Sequence, residues 1–290
     1  MNKFLSTNIL FTKLTAAGND FILFDRKLNP SIEINGDFIQ KLCNRRTGIG
    51  ADGVLLISDS YNYPFELDYF NSNGTTGVLC ANGARCALRY AYLSGRINKN
   101  KVEFLVNGIQ YAGEILDDKL VKFYLNEPKK IKVNFKIKAA EQLINASYAD
   151  TGAPHVVIRI SDILKNSKRL DSSYKDIDEV PVYKIGQEIR YSRDFEPDGT
   201  NVNFIDVQED VIKIRTYERG VEDETLACGT GSVAAALISF INYNIKPPIK
   251  LITRIGETFV VDFNVENKSF MNLSLTGPAI AVYKGELLIN

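Results

Sequence analysis

Histidine is almost missing from this 290-residue chain: His155 stands alone beside four cysteines, Cys43, Cys80, Cys86 and Cys228. These five residues show no paired spacing of the kind that holds zinc, so no metal site is expected. Net charge is also missing, since 35 Lys and Arg balance 35 Asp and Glu. Without a bulk field the chain has no general attraction for nucleic acid or an anionic membrane. No run approaches the ~20 apolar residues of a membrane helix, and the opening "MNKFLSTNILFTKLT" lacks the apolar core of a signal peptide. The expected compartment is the cytoplasm, where thiols stay reduced, and the expected partner is a small molecule. There is no Walker motif, and no lysine is marked out as a pyridoxal-phosphate Schiff base. "GIGADG" (48–53) formally matches G-x-G-x-x-G, but it follows a helix pattern and precedes a strand. That is the reverse of the dinucleotide context, so it is read as a glycine-rich turn.

What is present is an ordinary globular composition, 45% hydrophobic and 24% charged, with enough length for one large domain or two of common size. β-branched and aromatic runs dominate: "FILFD" (21–25), "GVLLIS" (53–58), "FELDYF" (65–70), "KVEFLV" (101–106), "LVKFYL" (120–125), "NVNFIDV" (201–207), "VIKIRTY" (211–217) and "TFVVDF" (258–263). Asn107-Gly108 is a strong hairpin signal between 101–106 and 109–115, and Asp117-Asp118-Lys119 turns the next pair. An antiparallel meander is expected there. Three segments read as helix. "GDFIQKLCNR" (36–45) offers Asp37 as N-cap and a stripe of Phe38, Leu42 and Cys43. "ARCALRYAYL" (84–93), stopped by Ser94-Gly95, and "SVAAALISFI" (232–241) are apolar nearly all round and belong in a core. Cys43 and Cys86 are read as packing residues within such patterns.

Strands, a glycine-flanked cysteine, an apolar helix and more strands occur twice. "AAGNDFILFD" (16–25) resembles "DTGAPHVVIRI" (150–160) in the same sense, and the polar "NEPKK" (126–130) separates the halves. The expected fold is α/β of the α+β type: two pseudo-symmetric domains, each a mostly antiparallel sheet wrapped around a central helix, with the active site in the cleft between them.

The cysteine turns carry the chemistry. A helix N-terminus presents N–H groups and partial positive charge, which favour a thiolate and attract a carboxylate. Gly83, Gly229 and Gly231 let the backbone approach a ligand closely. Two such turns, led by Cys80 and Cys228, suit an amino acid held by its carboxylate with a sulfur on each face of Cα. One thiolate removes the proton and the other thiol returns one, inverting the centre without a cofactor. Glu218-Arg219 precedes the second turn. Its arginine suits a carboxylate, and its glutamate suits an ammonium or a thiol proton. A dithiol redox protein, or a binder without catalysis, remains open on the residues alone.

"GNDFILFD" (18–25), "RRTGIGADG" (45–53), "FNSNG" (70–74), "CANGARC" (80–86), "GAPH" (152–155), "GTNVNF" (199–204) and "YERGVEDETLACGTG" (217–231), in that order, resemble the diaminopimelate epimerase family nearly end to end. The resemblance implies a cofactor-independent epimerase of LL- and meso-diaminopimelate, serving lysine and peptidoglycan synthesis, with a homodimer as the family's habit. It implies two such domains with the C-terminal segment returning to the first; with the 126–130 link as boundary and the return placed near Gly277-Pro278, they are expected at 1–128 and 129–277, with 278–290 returning. It places the catalytic thiols on Cys80 and Cys228, assisted by His155 and Glu218. It places substrate binding on Asn19, Asn71, Ala81, Asn82, Asn201, Glu218, Arg219, Gly229 and Thr230. The sequence departs from the family's pattern at Ala81, usually glycine, at Ala153, usually asparagine, and at Gly53, sometimes glutamine. A relative using the same chemistry on another amino acid, such as histidine, is the alternative.

Overall fold

A computed structural model of the chain describes residues 8–77, 79–209 and 211–288. The chain divides into two compact units, one running to Phe123 and resuming at Pro278, the other spanning Tyr124–Gly277. The first unit contains β1 (Ile9–Ala16), β2 (Asn19–Asp25), α1 (Gly36–Cys43), β3 (Gly53–Ser58), β4 (Glu66–Asn71), α2 (Ala81–Leu93), β5 (Lys101–Val106), β6 (Ile109–Ile115) and β7 (Leu120–Tyr124). The second contains β8 (Lys130–Ala139), β9 (Gln142–Asp150), β10 (Pro154–Arg159), α3 (Val182–Arg190), β11 (Asn201–Val207), β12 (Ile212–Glu218), β13 (Asp223–Thr225), α4 (Gly229–Tyr243), β14 (Ile249–Ile252), β15 (Thr258–Glu266) and β16 (Ser269–Pro278). The last strand, β17 (Ile280–Leu287), pairs antiparallel with β1 in the first unit.

One plan builds both units. Hairpin β1–β2 is followed by parallel β2–β3, antiparallel β3–β4, parallel β4–β5 and antiparallel β5–β6. In the second unit the same sequence is β9–β10, β10–β11, β11–β12, β12–β14 and β14–β15. As β17 covers β1, so β8 covers β9. The parallel pairs go beyond the meander expected from the sequence. They arise because a helix-bearing crossover returns the chain in the same direction, through α1 and α2 in the first unit and through α3 and α4 in the second. The Asn107-Gly108 turn forms as expected. Both residues have positive φ (47° and 76°) and close β5 onto β6 in register, Val106 opposite Ile109, which is the primed turn matched to strand twist.

Helix α1 begins at Asn35, whose Oδ1 accepts from the Phe38 N–H at 2.9 Å. The expected cap, Asp37, instead lies in the first turn, where its charge favours the helix dipole. Ile39, Leu42 and Cys43 of α1 pack on Ile22, Phe24, Val54 and Leu56. β2 and β3 therefore have one face under α1 while the other carries α2, which explains why both read as continuous apolar runs. In the second unit Val182, Ile185 and Ile189 of α3 cover Val156, Ile158, Val202 and Phe204. Gly186 lies within that helix because a Cβ there would sit 2.4 Å from the Tyr217 Cβ. The central helices are buried throughout 81–91 and 229–239, so their first turns are held by the sheets that wrap them. Cys43 and Cys86 are buried packing residues; burial pushes both thiols well above the ordinary range, Cys43 to about 11. Among the described residues, no helix is long and apolar enough to cross a membrane.

Candidate active site

Each central helix starts on a cysteine. Cys80 is the N-cap of α2, with φ −123° and ψ 104°, and Cys228 is the N-cap of α4, with φ −115° and ψ 115°. In that extended conformation the cysteine's own carbonyl accepts the first helical hydrogen bond, from Ala84 N–H at 2.8 Å and from Ser232 N–H at 2.9 Å respectively. Gly83 N–H donates to the Cys80 sulfur at 3.4 Å, a contact that favours negative charge on the sulfur. Ala81 and Asn82, like Gly229 and Thr230, occupy the first two helical positions and are buried. Their backbone N–H groups belong to the set with no intrahelical acceptor, which is an anion-binding arrangement.

The two starts rest on different floors. A Cβ on Gly83 would meet Leu55 Cδ2 at 3.1 Å and Phe21 Cε1 at 3.6 Å, whereas one on Gly231 would meet Asn203 Oδ1 at 2.3 Å. Beneath Gly83 the floor is apolar, and beneath Gly231 it is polar. His155 there is fully buried. Its Nδ1 faces Asn203 Nδ2 at 3.1 Å, and its Nε2 lies 2.9 Å from Thr230 Oγ1. Asn203 is fixed independently, since Nδ2 also donates to the Val156 carbonyl at 2.9 Å and Oδ1 accepts from the Thr216 hydroxyl at 2.9 Å. Nδ1 is therefore the acceptor and Nε2 carries the proton toward Thr230. Burial, and secondarily the Arg219 charge, bring the His155 pKa down to about 3, so the ring is neutral. Thr230 Oγ1 lies 3.6 Å from Cys228 Sγ, and the Thr230 carbonyl accepts from the Thr151 hydroxyl at 2.8 Å.

Around this centre Asn201 acts as a clamp. Its Nδ2 donates to the Pro154 carbonyl at 2.8 Å, and its Oδ1 accepts the Arg219 N–H at 2.9 Å, tying β10 to the end of β12. One N–H and one lone pair of the amide remain for a ligand. The Arg219 guanidinium donates to the Asp198 carbonyl at 3.3 Å, and Glu218 Oε2 accepts from the Thr225 hydroxyl at 2.8 Å across the β12–β13 hairpin. Both side chains are half-buried.

In the first unit Asn82 Nδ2 donates to Asn19 Oδ1 at 2.6 Å, and Asn19 Nδ2 donates to Asp52 at 3.0 Å. Asn71 ends β4, where Oδ1 accepts from the Tyr69 hydroxyl at 2.9 Å and Nδ2 donates to Thr75 at 3.0 Å. The structure thus gathers Asn19 and Asn82 beside the Cys80 turn and ties Asn71 to its own turn. It links His155 and Thr230 with Cys228, and Asn201 with Arg219. Gly53 has no space for a side chain, because a Cβ would lie 2.5 Å from the Phe70 carbonyl oxygen and 2.9 Å from the Tyr69 ring. Asn203, Asp52 and Arg85 were not among the site residues expected. Asn203 had a signal: in "NVNF" it shares a strand face with Asn201.

A family model described as "Diaminopimelate epimerase" matches residues 11–131 and 147–282. A diaminopimelate epimerase of Aquifex aeolicus (strain VF5) is 39% identical over 289 residues, covering 96% of this chain and 97% of that protein. One from Chlorobaculum tepidum is 35% identical over 279 residues, covering 95% of this chain and 100% of that protein. Among solved structures, a Bacillus anthracis phenazine biosynthesis protein of the PhzF family superposes with TM-score 0.71 at 15% identity, over 98% of this chain and 100% of that one. A hydroxyproline epimerase from Agrobacterium vitis gives TM-score 0.69 at 14% identity, over 97% and 93%. At those identities the likeness concerns the fold.

Proposed function

The chain belongs to the diaminopimelate epimerase family, and from that premise we propose that it interconverts LL- and meso-2,6-diaminopimelate by inverting one Cα between the thiols of Cys80 and Cys228. The observation that carries the reading is the repeated cysteine N-cap: each unit supplies one sulfur at the first turn of a buried helix. In the forward step a thiolate takes the Cα proton, and the electron pair of the broken C–H bond is held as a carbanion conjugated with the carboxylate. The other cysteine then gives its S–H proton to the opposite face. The protonation states of the two thiols are exchanged at the end of the turnover, and no other reactant is consumed.

The unbonded N–H groups at Ala81-Asn82 and Gly229-Thr230 are assigned to the substrate carboxylate, where they stabilise developing charge. Asn19, Asn71, Asn201 and Arg219 are assigned to the second amino-acid end, and Glu218 to an ammonium or a thiol proton. His155, neutral, is assigned to support Cys228 through the Thr230 hydroxyl. The reading also takes the enzyme to be a cytoplasmic homodimer in lysine and peptidoglycan precursor synthesis. The test is Cα-proton exchange on LL-diaminopimelate in D₂O with no added cofactor. Exchange is expected with the wild type and lost in Cys228→Ser. Exchange only with a different amino acid would overturn the substrate, and undiminished exchange in Cys228→Ser would overturn the two-thiol chemistry.

A further inference from the structure

Arg85 is fully buried in the second turn of α2, one turn beyond Cys80. A guanidinium removed from water costs several kcal/mol unless it is well bonded. Its Nη2 donates to Asn82 Oδ1 at 2.7 Å and its Nη1 to the Ala81 carbonyl at 3.3 Å. Burial holds its pKa down at about 10, still charged at neutral pH. From Asn82 the bonds run on without a break: Asn82 Nδ2 to Asn19 Oδ1 at 2.6 Å, then Asn19 Nδ2 to Asp52 Oδ2 at 3.0 Å. Asp52 is itself held by Arg45 Nη2 at 2.7 Å and by the Asp20 N–H at 3.2 Å.

The two ends of this chain are chemically opposite. A guanidinium has only donors, and a carboxylate offers only acceptors. Between them a carboxamide has one orientation that satisfies both neighbours, and turning either amide over sets donor against donor or acceptor against acceptor. The fold does not demand this arrangement. In the second unit, counting from the capping cysteine, the position of Asn82 is taken by Thr230 and that of Arg85 by Val233, buried and apolar.

We propose that Arg85 and Asp52 are positioning residues that fix, through this chain, which way the carboxamides of Asn82 and Asn19 present their remaining N–H and lone pair to the substrate. The proposal rests on the reading of Asn19 and Asn82 as substrate-binding residues. Its consequence is specificity: a wrongly turned amide offers an acceptor where the ligand needs a donor.

The test uses the full-length protein with ¹⁵N-labelled asparagine, observed without substrate, and the variants Arg85→Met, Arg85→Lys, Asp52→Asn and the Met/Asn double. Arg85→Met is expected to move the side-chain amide signals of Asn19, which Arg85 does not bond. Asp52→Asn, at the half-exposed end, is expected to move those of Asn82. KM for LL-diaminopimelate is expected to rise about tenfold in either single variant, the worth of one misdirected hydrogen bond. The double variant should rise little further, because both act on the same atoms, while kcat changes less and Arg85→Lys recovers part of the loss. Remote amide signals that stay in place, or KM effects that multiply, would overturn the proposal. If Arg85→Met does not fold, the Asn82 signals in Asp52→Asn decide it alone. If the wild type fails to exchange this substrate, the functional reading falls while the amide signals still decide the chain.

Discussion

His155 Nε2 lies 2.9 Å from Thr230 Oγ1, and that hydroxyl oxygen lies 3.6 Å from Cys228 Sγ. Because Asn203 occupies Nδ1 as donor, the ring proton is on Nε2 and Thr230 receives it, which leaves the Thr230 O–H available as a donor to the sulfur. On the proposed reading, the histidine acts on the thiol through that hydroxyl. Thr230→Val keeps the shape and removes the hydroxyl. It is expected to lower kcat by about tenfold or more, the equivalent of about 1.4 kcal/mol. Thr230→Ser, which keeps the O–H, is expected to recover most of it. Equal losses in the two variants, measured as exchange of the Cα proton at saturating substrate, would rule out the hydroxyl link.

The same histidine leaves a mark on stability. Burial lowers its pKa from the ordinary 6.5 to about 3. Between those values the unfolded chain binds a proton that the folded chain does not, so stability falls as pH drops through this window and is fully retained above it. Urea unfolding of the wild type and of His155→Gln, taken from pH 7 to pH 4, should show a flatter acid limb in the variant. Parallel curves would mean that the ring is protonated in the folded protein.

Much of this site is legible in the sequence because its signals are local. A cysteine, a small residue, a glycine and an apolar run spell a buried helix start, and Asn107-Gly108 spells a hairpin; both form. Helix α3 is harder to read. It starts after Pro181 with no side-chain cap and carries Gly186 at its centre, although Val182, Ile185 and Ile189 keep helical spacing. The parallel pairings β2–β3 and β10–β11 are long-range, and no short stretch announces them. Those pairings bring Asp52 to Asn19, and they set Asn203 one residue beyond the Val156 carbonyl on the neighbouring strand. For that reason Asp52 and Asn203 stand inside readable motifs while their roles become visible only in three dimensions; Arg85 bonds locally to Asn82 and Ala81, and its place shows only where Asn82 meets Asn19.

A buried ion pair holds the first unit together behind α2. Arg96 and Asp25 bond through Nη2 and Oδ1, with side chains 5% and 4% exposed, and the Tyr90 hydroxyl donates to the other carboxylate oxygen at 3.0 Å. Burial pushes the Asp25 carboxyl up, but the Arg96 hydrogen bonds and charge, the Lys27 N–H and the Tyr90 hydroxyl together outweigh it and hold the group below its ordinary value. Arg96→Met strands the carboxylate and is expected to cost about 3–5 kcal/mol. Adding Asp25→Asn should return part of that cost. A loss below about 1 kcal/mol in the urea midpoint would place the pair among weak surface bridges.

The two helix-start glycines differ in what lies beneath them. A methyl on Gly83 would press on Leu55 Cδ2 at 3.1 Å, the mobile end of a leucine, and elsewhere meets ordinary contact. Against that squeeze stands a gain of up to about 1 kcal/mol for alanine over glycine in a helix. On Gly231 the methyl would lie 2.3 Å from Asn203 Oδ1, and that amide is held by Thr216, Val156 and His155. Asn203 must then leave its bonds, releasing the Nδ1 side of the ring and with it the Nε2–Thr230 alignment. Gly231→Ala is therefore expected to destabilise by about 1–3 kcal/mol, the cost of unsatisfied buried groups, and to lose at least about ten times more exchange activity than Gly83→Ala. The two variants, compared in thermal unfolding and in D₂O exchange, should rank in that order. The opposite ranking would mean that the polar floor yields and the apolar one does not.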